Sequence, residues 1–347
     1  MDIIKIFQLA HDKNASDVHI IVGHPPIIRI EGVLHEVKGQ GDIDNIMAER
    51  IIYKILSAPQ KEKLLQNKDL DVSYELSSGI RFRLNCHFEK NNIGLSARLI
   101  PSNPLSLEDI DSQDIIYKLA RLKQGLVLVT GPTGHGKSTT MAAMINLINS
   151  ERSEHIVTLE DPIEAIFNPK KSIIEQRQLG EDMISFESGL KHVLRQDPDV
   201  IMVGEMRDLE TVAATITLAE TGHLVLATLH TLNAGQTIDR IIDIFPPHQQ
   251  QQIKMQLSIS LRGVVSQRLI PAKDGGRLAT REILINTPAV ANMIREDKIH
   301  QIKTVIQTSS KEGMFTMDQD LTRLHKDSLI DKEILDIYFS DRYLKND

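Results

Sequence analysis

"GLVLVTGPTGHGKSTTMAAMINLI", residues 125–148, decides the fold class. Residues 126–130 are apolar towards both faces, the pattern of a strand buried inside a parallel sheet. From 137 to 149 the spacing becomes helical, with Met141, Met144, Ile145 and Ile148 on one side. Between the two lies Gly131-Pro132-Thr133-Gly134-His135-Gly136-Lys137-Ser138, a complete G-x-x-x-x-G-K-[ST] match, followed by Thr139. Its glycines let successive backbone amides turn inward on phosphates, which demands unusual backbone angles and leaves no room for Cβ atoms. The helix N-terminus adds its dipole. Lys137 is expected to reach the β and γ phosphates and Ser138 to ligate Mg²⁺, so residues 131–139 are the expected ATP/ADP-binding residues.

Working outward, the apolar runs "GLVLVT", "HIVTLED", "DVIMVGE" and "HLVLATLH" alternate with helix-length segments, which predicts an α/β domain with a covered parallel sheet. After 234 the chain reads as mostly helical except "RLATREILI", and the run Gln249 to Gln252 reads as a solvated helix face. Upstream, a helix at 3–14, strands in "ASDVHIIV" and "HPPIIRIEGVLHEV" with a turn at Gly32, and a helical stretch at 43–66 are expected. Two strands around Ser77-Ser78-Gly79 and a third in "IGLSARLIP" complete a small α+β domain with an antiparallel sheet. Pro101-Ser102-Asn103-Pro104 blocks helix and sheet alike and marks a linker. The expected organisation is an N-terminal domain at 1–100, a linker at 101–111 and an ATPase domain at 112–347.

Composition narrows the function classes. A chain of 347 residues, 41% hydrophobic and 25% charged, suits two globular domains. The net charge of −7 and an aromatic content of 4% without Trp disfavour a nucleic-acid motor, which needs cationic and stacking surfaces. The single cysteine, Cys86, excludes a multi-cysteine zinc site and reads as a small buried side chain. The start, MDIIKIFQLAHDKN, reads as an amphipathic helix rather than a signal peptide, and no apolar run approaches the roughly 20 residues of a membrane span, so a cytoplasmic location is expected. An ABC transporter and a GTPase are disfavoured by the absence of LSGGQ-like and N-K-x-D motifs; "NKDL" at 67 has its aspartate one place early.

Three further stretches carry candidate chemistry. "TLEDPIE", residues 158–164, offers Glu160, Asp161 and Glu164 at the carboxyl edge of a parallel sheet, where ligands bind. "DVIMVGEMRD", 199–208, ends a buried strand where many P-loop ATPases place an aspartate, but here Gly204 stands there and Glu205 follows. Asp208 suits a helix N-cap, and Arg207 suits an acid partner or a neighbouring subunit. "TGHLVLATLHT", 221–231, holds His223 and His230, whose odd separation sends them to opposite faces of one strand. His223 is expected to open that strand and His230 to sit past its far end near the γ-phosphate; Arg195 is a further candidate.

In this order and spacing the four stretches resemble the secretion ATPase superfamily of type II secretion and type IV pili. "ASDVHI" at 15–20, "RFRLN" at 81–85 and "LRGVVSQRLIP" at 261–271 make the twitching-motility (PilT-type) retraction ATPases the nearest likeness. That resemblance implies a PAS-like α+β N-terminal domain, a RecA-like P-loop ATPase domain, and a homo-hexamer with ATP bound between domains near subunit boundaries. It also implies work on the inner face of the cytoplasmic membrane against the pilus platform protein, with a second retraction ATPase as a further partner. By the same resemblance Glu205 takes the Walker B role with Mg²⁺, Glu160 and Glu164 position water and metal, and Arg81, Arg83 and Arg98 are candidates to approach an adjacent site. Glu205 is read as acting mainly through Mg²⁺ and its waters, with Glu164 as base. Lack of a four-cysteine zinc subdomain favours retraction over extension. The chain departs from the family's C-terminal motif at Ala291, within Ala289-Val290-Ala291-Asn292-Met293-Ile294-Arg295, where relatives carry arginine. That departure bears on coupling and leaves the ATPase reading intact.

Overall fold

A computed structural model describes residues 1–101 and 104–340; Ser102 and Asn103 of the expected linker lie outside the described residues. Two compact units emerge, one from 1–103 with Glu164–Ile166, the other from 104–163 with the chain after Ile166.

The first unit contains α1 (Ile3–Asp12), β1 (Asp17–Ile20), β2 (Ile27–Ile30), β3 (Val33–Glu36), α2 (Asn45–Ile55), α3 (Ala58–Asn67), β4 (Asp69–Glu75), β5 (Arg81–Glu89) and β6 (Asn92–Ile100). The helical stretch expected at 43–66 is broken at Leu56, whose backbone is extended. Ser57 caps α3 there, its N–H donating to Gln60 Oε1 at 2.8 Å, and Pro59 sits in the first turn where a missing N–H costs nothing. The strands form an antiparallel sheet in the order β3-β2-β1-β6-β5-β4. Alternation places Val18, Phe82, Leu84 and Leu95 in a core with Ile3, Phe7 and Ile52 of the helices, and Phe7 stacks on Phe82 at 4.4 Å between centroids. Cys86 joins that core, where burial pushes its thiol up to about 12. The opposite residues of the same strands are polar, and their register aligns Arg29, Asp17, Arg98 and Arg83 across four strands.

The second unit runs α4 (Asp114–Ala120), β7 (Gly125–Thr130), α5 (Lys137–Glu151), β8 (His155–Glu160), β9 (Ile173–Gln178), α6 (Phe186–Val193), β10 (Val200–Val203), α7 (Leu209–Glu220), β11 (Leu224–Leu229), α8 (Ala234–Asp243) and α9 (Pro247–Ser260). It continues with β12 (Leu261–Pro271), β13 (Arg277–Ile285), α10 (Pro288–Arg295), α11 (Ile302–Thr308), α12 (Met317–Lys326) and α13 (Lys332–Ser340). The sheet order is β13-β12-β7-β11-β10-β8-β9, parallel except for the antiparallel β12–β13 pair. Every residue of β7, β10 and β11 is buried, as strands covered on both faces must be.

Two strands lie in segments expected to be helical. β9 is an edge strand, half-exposed and polar, and β12 is a strand within the segment expected to be mostly helical. β12 is buried on both faces between β7 and β13, so it shows no alternation for a period-two reading to detect. No described helix is long and apolar enough to cross a membrane.

Candidate active site

The phosphate-loop residues join β7 to α5. Gly131 has φ +145°, and a Cβ there would lie 2.3 Å from the Gln267 carbonyl oxygen, so only glycine fits. Lys137 is buried at the start of α5, and its Nζ donates to the carbonyls of Gly131 at 2.8 Å and Pro132 at 3.0 Å. Ser138 and Thr139 are exposed in the first helical turn. His135 is clasped from β12: the Leu269 N–H donates to its Nδ1 at 3.0 Å, and Gln267 Nε2 donates to its carbonyl at 2.8 Å. Burial, then the cations Arg268, Lys137 and Arg277, hold the His135 imidazole below its ordinary range.

The end of β10 explains the displaced carboxylate. The Gly204 N–H donates to the Leu159 carbonyl at 2.7 Å, and Thr228 Oγ1 donates to the Gly204 carbonyl. A Cβ on Gly204 would stand 3.1 Å from the Leu159 oxygen and 3.3 Å from Glu160 Cα. A side chain at 204 would have to push the β8 backbone back by a few tenths of an ångström, and Glu205 is the next residue able to supply a carboxylate. Its largely buried carboxylate accepts from the Arg207 guanidinium and lies 3.3 Å from His230 Nε2. The Glu205 hydrogen bond in turn holds the Arg207 guanidinium above its usual range.

His230 follows β11 and bridges the two halves. Its Nδ1 lies 3.4 Å from both Lys137 Nζ and Thr133 Oγ1. Lys137 Nζ can only donate, so the tautomer that serves these contacts carries its proton on Nε2, towards Glu205, and offers the single Nδ1 lone pair to Lys137 or Thr133. The structure thus gathers Thr133, Lys137, Glu205, Arg207 and His230.

The remaining expected residues stand elsewhere. His223 is at the opposite end of β11, with Nδ1 against the Leu218 carbonyl at 2.9 Å and Thr221 Oγ1 at 3.1 Å. Glu160 ends β8, buried, its Oε1 accepting from Thr158 Oγ1 at 2.6 Å and Gln176 Nε2 at 3.1 Å. Asp161 is exposed, Asp208 caps α7 by accepting from the Thr211 N–H at 2.8 Å, and Arg195 is exposed after α6. Glu164 groups with the first unit, as do Arg81, Arg83 and Arg98; Arg98 Nε donates to Asp17 Oδ1 at 3.0 Å. Gln176 and Gln267 went unread in the sequence, because each acts from a neighbouring strand and no local spacing announces it; Thr158 acts from the same strand as Glu160, two residues earlier, and was passed over within "TLEDPIE".

Among the described residues no cluster of three or more His, Cys, Asp or Glu side chains could hold a metal ion by itself. The exposed hydroxyl of Ser138 at the start of α5 is a donor of the kind that Mg²⁺ carried on phosphates takes, since that ion keeps most of its shell as water and phosphate oxygens.

The family model described as "Type II/IV secretion system protein" matches residues 1–323. The chain is 41% identical over 333 residues to the "Type IV pilus retractation ATPase PilT" of Pseudomonas aeruginosa, covering 96% of each chain. It is 46% identical over 312 residues to a "Twitching motility protein" of Neisseria gonorrhoeae, covering 89% of this chain and 82% of that one. A crystal structure of the pilus retraction motor PilT with bound ADP superposes with a TM-score of 0.90 at 42% identity, over 96% of both chains.

Proposed function

The chain belongs to the type II/IV secretion system protein family, and from that premise we propose that it is a motor ATPase powering type IV pilus retraction. The observation that carries this reading is His230, which ties the phosphate-loop lysine to Glu205 across three strands of one sheet. The likeness to retraction ATPases along nearly the whole chain supports the direction of force.

In this reading the second unit is RecA-like and the first PAS-like, with the boundary near residues 101–111. ATP lies along residues 131–139, its phosphates accepting from loop amides and from Lys137 Nζ, which gives up the Gly131 and Pro132 carbonyls. Ser138 would hold Mg²⁺ and Glu205 would bind it through water; bound there, the ion neutralises charge on the phosphate oxygens. Water, oriented by a carboxylate among Glu205, Glu160 and Glu164, attacks the γ-phosphorus in line as its bond to the β,γ-bridging oxygen breaks, so that ADP leaves and the water's proton passes to that carboxylate or to the released phosphate. Arg81, Arg83 and Arg98 serve a neighbouring copy's site in a hexameric ring, and the ring works on the cytoplasmic face of the inner membrane against the pilus platform protein.

Phosphate release by the purified chain tests the enzymatic core. Lys137→Ala and Glu205→Gln are both expected to abolish turnover. Normal release by the Glu205→Gln variant would move the essential carboxylate elsewhere, and no release by the unaltered chain would remove the ATPase reading.

A further inference from the structure

We propose that Gln267, on a strand outside the phosphate-loop motif, is a positioning residue that sets the shape of the loop and through it the affinity for nucleotide phosphates. The inference rests on reading residues 131–138 as the nucleotide loop.

Gln267 is 1% exposed in the middle of β12. Its Nε2 donates to the His135 carbonyl at 2.8 Å, and its Oε1 accepts from Thr140 Oγ1, itself buried in the first turns of α5, at 2.8 Å. Its main-chain oxygen abuts Gly131, and its side-chain Nε2 lies 3.2 Å from where a Cβ on Gly136 would stand. One side chain and its backbone therefore touch the first residue of the loop, the last two before Lys137, and the helix that follows.

The His135 contact has a directional consequence. In a planar trans peptide the C=O of one residue and the N–H of the next point in opposite directions. With the His135 carbonyl drawn to Gln267, the Gly136 N–H in the same peptide is aimed away from β12, into the loop. Losing the Gln267 donor frees that peptide to rotate and removes the aim of one phosphate-binding amide. No other side chain of this length does both jobs. Glutamate as carboxylate has no donor, and methionine has neither a donor nor an oxygen for Thr140.

The brace itself is held from behind. Directly opposite Gln267 on β13 stands Arg281, fully buried, whose main-chain N–H donates to Asp320 Oδ2 at 2.8 Å. A positioning group needs such support if it is to fix its target within tenths of an ångström.

The test uses the full chain with Gln267→Met, Thr140→Val, the double variant and Lys137→Ala, read by steady-state ATPase kinetics and by Mg·ADP binding. A loop amide meets phosphate in ground and transition states alike, so its loss is expected to raise KM for ATP and Kd for ADP roughly threefold to tenfold, with kcat within about twofold. Because Thr140 acts through Gln267, the double variant is expected to match Gln267→Met alone rather than the product of the two effects. A merely structural role would instead lower kcat through lost folded protein and leave KM where it was, and that result overturns the inference, as do unchanged KM and Kd. Should Gln267→Met fail to fold, Gln267→Leu, uncharged and with neither donor nor acceptor, is read in the same way, and unchanged KM and Kd there overturn the inference too. Wild-type ADP affinity in Lys137→Ala would mean that residues 131–138 are not the nucleotide loop and the underlying reading fails. Lost affinity in Lys137→Ala beside an unchanged Gln267→Met overturns this inference alone.

Discussion

A Cβ on Gly204 would press on the Leu159 carbonyl at 3.1 Å, while the Gly204 N–H is already bonded to that same oxygen. Gly204→Ala is therefore expected to cost about 1–3 kcal/mol, visible as a lowered melting temperature. Gly204→Asp in a Glu205→Gln background should leave phosphate release at background level, and recovered turnover would mean that the carboxylate can act from either position. A second residue-scale expectation concerns His135, held below its ordinary value of 6.5 by burial and then by nearby cations. The unfolded chain takes up a proton that the folded ring refuses, so stability is lost as pH falls from 6.5 towards the lower folded value and is retained above 6.5. In His135→Asn the amide oxygen can still accept the Leu269 N–H without titrating, so this variant should flatten the acid limb of melting temperature between about pH 7 and pH 5. Parallel losses in both proteins across that window would show that another group carries the limb.

At the scale of elements, legibility followed burial pattern. β7, β10 and β11 were readable because each is a short apolar run bounded by turn residues or polar ends, and the loop after β7 because its glycines and Lys137 are contiguous. β12 was not, since a strand buried on both faces that carries Arg262, Ser266, Gln267 and Arg268 offers neither alternation nor an uninterrupted apolar run. Arg281 hid for the same reason: it stands in "RLATREILI" like a solvent-facing residue, and only segments far away in sequence make it internal. Its guanidinium donates to the carbonyls of Ile110 at 3.0 Å and Asp111 at 2.9 Å and to Gln113 Oε1 at 3.2 Å, with burial pulling its pKa down to about 10. Arg281→Met strips the donor from those half-buried acceptors and is expected to lower unfolding free energy by about 2–3 kcal/mol, with Arg281→Lys recovering little, because an ammonium cannot span the three acceptors as a planar fork does. Urea midpoints check this; a shift of the methionine variant within error of zero would mean that the network contributes nothing to stability.

Over the whole molecule, each unit carries its own hydrophobic core, so the nucleotide site and the polar sheet face bearing Arg81, Arg83 and Arg98 are built independently. The proposed ring gives these two constructions a common purpose, with the arginines of one copy completing the site of another. The direction in which the pilus moves rests on likeness to retraction ATPases along nearly the whole chain and is open to a direct trial. Deletion of this chain from its organism, followed by counting of surface pili and scoring of twitching, supplies it. Retraction predicts hyperpiliated cells without motility, restored by the unaltered chain and not by Lys137→Ala, whereas loss of surface pili would contradict the account.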